Sequence, residues 1–177
     1  MRRALDALFD AAGALAALAV FAIFALMIIA SIGRIVGWKV GGINDIVSWL
    51  TAASAFLAMA HSFKHGDFVR VTLLLEKLPP RARHVFEAAS LAIAMVAVGY
   101  LGWWAARFTY ESYTFNDIAG GMVVIPIWIP QMSFVIGALL LVLAVLDELV
   151  IVLRGAKPTY VRLVEERHAR GDFSEDI

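Results

Sequence analysis

Residues Ala11 to Gly33 read AAGALAALAVFAIFALMIIASIG, with Ser31 as the only polar side chain. A helix over this stretch, rising about 1.5 Å per residue, reaches roughly 35 Å, enough to cross a ~30 Å hydrocarbon core with some tilt. Arg2 and Arg3 precede it and Arg34 follows it. The run exceeds the roughly 7–15 residues of a signal-peptide apolar region, so it reads as a retained first span.

Three further apolar runs follow, at about 46–63, 85–106 and 127–146, with a short apolar extension at Leu149 to Leu153 beyond Asp147-Glu148. None alternates apolar and polar residues as barrel strands do. Backbone groups in lipid need internal partners, so an all-α integral membrane protein with four spans is expected. Residues 1–153 form the membrane domain, and 154–177 a polar tail. Composition agrees: 62% of the 177 residues are apolar and 17% charged, with a mean hydropathy of +0.81. Fifteen basic and fifteen acidic residues cancel, which argues against a nucleic-acid partner. With no cysteine, thiol catalysis and Cys-ligated metal are excluded.

Lys and Arg in the connections set the orientation. The amino end, second loop and tail together carry twelve, and the first and third loops three. Both termini are therefore expected on the cytoplasmic side. Within the second loop, Val69 to Leu78 reads VRVTLLLEKL and ends at Pro79-Pro80. It suits either an interfacial amphipathic helix or a tilted extension of the second span.

Ionisable residues near mid-membrane would point to a transport or proton pathway, and the four runs have none. The spans are also not broken by Gly and Pro near the midplane, as carrier helices often are. The charges sit near the ends. Asp45 and Glu87 read as residues of a helix first turn, suited to capping and to the positive end of the helix dipole. Asp147 and Glu148 fall at the unfavourable end of the fourth span. A bridge to Lys64, Arg70, Arg81 or Arg83, a bridge to a partner subunit, or simple solvation would each account for them. His61 and His65 share a helix face, but no acid completes a metal set at the right spacing. With His84 nearby and His168 in the tail, they read as interfacial histidines and not as haem ligands, and no metal or cofactor is expected in this chain. Trp38, Trp49, Trp103, Trp104, Trp128, Tyr100, Tyr110 and Tyr113 suit an aromatic belt at the headgroup level. Ala12, Ala16, Ala19, Ser54, Ala58, Ala88 and Ala92 allow close helix approach.

Taken in order, these features resemble the DctQ-like small membrane subunit of tripartite ATP-independent periplasmic (TRAP) transporters. The resemblance rests on the block GINDIVSWLTAASAFLAMAHSFKHGDFVRVTLLLEKLP, with Asp45 opening the span, Phe56-Leu57 within it and Leu78-Pro79 closing it. It rests also on IPIWIPQMSFVIG, with Trp128, Pro130 and Gly137 in place. The chain departs from the family at Asp45, where Glu is common, and at Phe68, Thr72 and Val135. The resemblance implies a non-catalytic subunit of the bacterial inner membrane. Its partners would be the lipid bilayer, a large membrane subunit holding the solute and sodium sites, and a periplasmic solute-binding protein delivering an organic acid or similar small solute. Asp45, Trp49, Arg70, Trp103, Trp104, Trp128, Asp147 and Glu148 are then candidates for partner or lipid contact. The competing expectation is a haem or quinone anchor of a respiratory enzyme, and a third is a self-sufficient channel or exporter.

Overall fold

Each apolar run becomes one helix in the computed structural model, and each helix outlasts the run that nucleates it. The structure describes residues 2–38, 41–65, 79–156, 158–159 and 161. Helix α1 covers Arg2–Val36, α2 Ile43–His65, α3 Pro80–Thr114 and α4 Trp128–Leu153. All four are long and apolar enough to span a membrane. The extensions bring in polar residues, such as Arg83, His84 and Glu87 in the RARHVFE start of α3. The amphipathic stretch 69–78, including Arg70, and the tail from 162 onward lie outside the described residues.

Helix ends are set by local chemistry. Pro79 is extended and Pro80 occupies the first turn of α3, where a missing N–H costs nothing and the fixed φ suits a helix. Three helices end in the same way. Gly37, Asn116 and Gly155 adopt positive φ (80°, 52° and 76°) just past α1, α3 and α4. The next N–H reaches back to the last turn in each: Trp38 to the Gly33 carbonyl at 2.7 Å, Asp117 to Ser112 at 3.0 Å, Ala156 to Ile151 at 3.2 Å. These are Schellman caps, and Asn is the side chain that best replaces glycine there.

The helices pack in the order α1–α2–α4–α3, with extensive interfaces between those neighbours only. This is an open row, since α1 and α3 share no extensive interface. Helix α4 is the most buried, whereas α1 and α3 leave large side chains such as Phe21, Phe24, Ile93 and Val96 exposed. In lipid such exposure is no penalty, because acyl chains are as apolar as leucine.

The α2–α4 interface includes a direct backbone approach. A Cβ added at Gly137 would lie 2.5 Å from the carbonyl carbon and oxygen of Phe56, so the α4 backbone rests directly on α2. The Phe56 and Phe134 rings meet edge-on beside it, with centroids 4.2 Å apart. Gly137 thus acquires a physical role: it removes the side chain that would separate the two helices.

Candidate functional site

Two polar assemblies, at opposite ends of the helices, join elements distant in sequence. Contacts between the start of α1 and the ends of α2 and α4 place the start of α1 and the end of α4 on one face of the molecule, the chain-end face. The α1–α2 and α3–α4 loops lie on the far face.

At the chain-end face, Lys64 in the last turn of α2 projects between α4 residues Asp147 and Glu148. Its Nζ donates to an Asp147 carboxylate oxygen and, at 3.0 Å, to Glu148 Oε1. Glu148 is fully buried and Lys64 is 6% exposed. Glu148 Oε2 accepts the Thr159 backbone N–H at 2.8 Å, tying the segment after α4 into the same cluster. The Phe9 ring of α1, itself fully buried, lies 6.0 Å from Lys64 Nζ. Phe9, Ala12, Ala60, Leu140 and Ala144 form the apolar core alongside.

Of the three explanations the sequence leaves open for the acidic pair, the geometry selects the internal bridge and names Lys64 as its cation. One expectation is corrected. The fourth helix is not confined to the apolar run at 127–146 but continues past the acidic pair to Leu153. The pair is followed by the buried Ile151 and Val152, so it lies within the packed part of α4 and not beyond it. Arg83 instead bridges Glu87 at 3.0 Å, one turn along α3. Glu87 is accordingly not in a helix first turn: Pro80 opens α3 about one and a half turns before the apolar run begins.

Asp45 holds the far face together. It sits in the first turn of α2, where the dipole favours an anion. Its Oδ2 accepts the backbone N–H groups of Met122, at 2.7 Å, and Val123, at 3.2 Å, in the α3–α4 loop. The capping expected of Asp45 is thus directed at a loop 77 residues away instead of its own helix end. The loop arrives shaped for this. Ile118 and Pro126 form an antiparallel bridge, and Ala119 N–H donates to the Ile125 carbonyl at 2.9 Å. A Cβ at Gly121 would stand 2.7 Å from Asp45 Cγ, so only glycine lets the carboxylate reach the two amides.

The tryptophans divide by environment. Trp49 on α2 and Trp128 at the start of α4 are half-buried, and Trp128 packs edge-on against Tyr113 at 5.5 Å. Trp128 and Tyr113 border a cleft of about 300 Å³ between α3 and α4, lined also by Ala106, Thr109 and Met132. Trp103 and Trp104 on α3 remain 69% and 45% exposed. Arg107 lies over the Trp104 ring at 5.3 Å and bridges Glu111 at 2.9 Å.

One cluster was missed in the sequence: Asp10 of α1 lies beside His61 and His65 of α2. The two histidines share a face as their spacing suggests, but the acid comes from another helix. No spacing rule within one helix could have found it.

None of these assemblies reaches the midsections of the helices. Residues 11–33 of α1, 46–60 of α2, 88–106 of α3 and 128–146 of α4 contain no Asp, Glu, Lys, Arg or His. The polar chemistry locks helix ends together and leaves the midsections apolar. No curated protein matches the chain by sequence. A family model does, described as tripartite ATP-independent periplasmic transporters, DctQ component, over residues 23–155. The match takes in α2, α3, α4, Asp45, Lys64, Gly137 and the acidic pair, and with four membrane-spanning helices the chain belongs to the DctQ family, the multi-pass small membrane subunits of TRAP transporters.

Proposed function

We propose that this chain is a non-catalytic brace for the large subunit of its transporter in the bacterial inner membrane, with both termini cytoplasmic. The large subunit carries the solute and sodium ions, and a periplasmic solute-binding protein delivers an organic acid or similar small solute. The observation that carries this is the charge-free, unbroken midsection of all four helices. A helix that binds and moves a charged solute ordinarily places charges or a backbone break at that depth. Here every ion pair lies near a helix end, where it fixes one helix against the next without offering a path. The open row also leaves long apolar faces on α1 and α3, available to acyl chains and to a hydrophobic partner. A haem anchor is disfavoured by the histidines: His61 and His65 share one helix and the exposed His84 lies near the start of α3, so they do not face each other across an interior.

Substitutions in this chain should therefore change the amount of assembled transporter or its maximal rate, leaving apparent solute affinity unaltered. Orientation has its own test. The chain has no native cysteine. Gly120 is exposed on the far face with open space around it, and Ala156 is exposed on the chain-end face. Gly120→Cys should react with an impermeant thiol reagent added outside the inner membrane, and Ala156→Cys only after permeabilisation. The opposite labelling would invert the proposed topology.

A further inference from the structure

Asp10, His61 and His65 come together where α1 begins and α2 ends. His61 Nδ1 lies 3.4 Å and His65 Nε2 3.9 Å from Asp10 Oδ1. One donor atom from each residue falls within 4.8 Å of the other two. The imidazole rings are nearly stacked, with centroids 4.1 Å apart and planes tilted by 32°.

Two details set this apart from a chance surface ion pair. First, the His61 ring is seated in a gap that only glycine leaves. A Cβ at Gly13 would lie 2.8 Å from its Cγ and 2.9 Å from its Nδ1. Second, His61 Nδ1 is buried and makes no hydrogen bond. An imidazole nitrogen lone pair and a carboxylate oxygen are both acceptors, so facing each other at this distance they call for a positive charge between them. A proton would supply it, and so would a metal ion. His65 adds the arrangement usual around metal-bound histidine: its Nδ1 lies 2.9 Å from the His61 carbonyl oxygen. Donation of an Nδ1 proton there fixes the tautomer that presents the lone pair on Nε2 toward Asp10.

We propose that Asp10, His61 and His65 bind a divalent first-row transition ion, with Zn²⁺ the best fit, and that the ion staples α1 to α2 at the chain-end face. Two imidazole nitrogens and one carboxylate oxygen suit zinc, with water as a fourth ligand. Calcium and magnesium prefer all-oxygen sets. Tetrahedral zinc with ligands at about 2.0–2.2 Å places them about 3.4 Å apart. The Asp10–His61 pair already has that separation, and rotation of the partly exposed His65 and Asp10 side chains closes the remainder. Asp10 and Gly13 precede residues 23–155, so the site is argued for this chain and not for its family.

The test uses the full chain purified in detergent without a polyhistidine tag. Zn²⁺ is titrated in competition with a chromophoric chelator, and Co²⁺ binding is followed by its visible absorption. One ion per chain is expected, with the intense bands of a four-coordinate site and a rise in melting temperature on loading. Asp10→Asn and His65→Gln should each weaken binding by about tenfold or more, Asp10→Glu should retain it, and His84→Gln should leave it unchanged. Circular dichroism matching the parent would show that the variants fold. Absence of saturable binding to the unmodified chain would overturn the proposal, leaving a proton-mediated ion pair. Equal binding by Asp10→Asn and His65→Gln would overturn it too, since the ion would then sit on other histidines.

Discussion

Lys64→Met is expected to destabilise the isolated chain by about 3–5 kcal/mol, the range for removing one partner of a buried ion pair. The cost comes chiefly from what remains. Glu148 is fully buried and the Asp147 side chain is 20% exposed, and without Lys64 two adjacent carboxylates are left with one backbone amide for Glu148 beside the apolar core. The attraction lost is the smaller part. Replacing the cluster as a whole should therefore be much milder. In Lys64→Met/Asp147→Leu/Glu148→Gln no unpaired charge is left, and the glutamine still offers an oxygen to the Thr159 amide. Thermal unfolding in detergent should show a large fall in midpoint for the single variant and recovery of most of it in the triple one. Equal midpoints for the single variant and the parent would mean that the cluster is solvated and not packed.

Gly137→Ala is expected to cost about 1–3 kcal/mol although it adds one methyl group and replaces glycine within a helix. A glycine-to-alanine change in a helix ordinarily gains roughly 0.5–1 kcal/mol. The sign reverses here because the new Cβ would meet the Phe56 backbone at 2.5 Å, and backbone cannot rotate away as a side chain can. Gly102 on α3 supplies the control. A Cβ there would meet Val142 Cγ2 at 3.6 Å, ordinary contact, so Gly102→Ala should be neutral or mildly stabilising. Unfolding midpoints of the two variants should move in opposite directions. Gly137→Leu should prevent α2 and α4 from packing and abolish recovery of folded protein. If Gly137→Ala matched Gly102→Ala, the close approach of α2 and α4 would be wrong.

What was legible in the sequence divides along physical lines. Hydropathy reports solvent, so the four spans were plain from the runs at 11–33, 46–63, 85–106 and 127–146. It does not report neighbours, because a leucine facing lipid and a leucine facing α4 read alike. The insertion of α4 between α2 and α3 was therefore not to be found in the runs. Helix length was underestimated for a related reason: polar turns such as RARHVFE are helical by propensity and capping, which apolar content does not reveal. The acidic pair Asp147-Glu148 was visible as an anomaly at the wrong end of a helix dipole, with an internal bridge, a bridge to another subunit and solvation all left open. Choosing Lys64 among several cations required the packing. Asp45 was recognisable as an N-terminal anion, but its loop partners, Met122 and Val123, depend on a turn shaped by Gly121. Gly137 could be singled out only through the family resemblance, and the structure supplies its reason.

If the chain braces the carrier and does not touch the solute, damage to it must appear in assembly and rate, never in affinity. The most direct measurement is uptake by the reconstituted three-component transporter, carrying Gly137→Ala, Lys64→Met or Asp45→Asn in this chain, with the amount of copurified large subunit determined for each. Lower yield or lower maximal rate is expected, with the apparent solute KM within about twofold of the parent's, a change well under 1.4 kcal/mol. A KM shift of about tenfold in a variant that assembles normally, equivalent to about 1.4 kcal/mol of binding energy, would contradict the account by placing this chain at the solute.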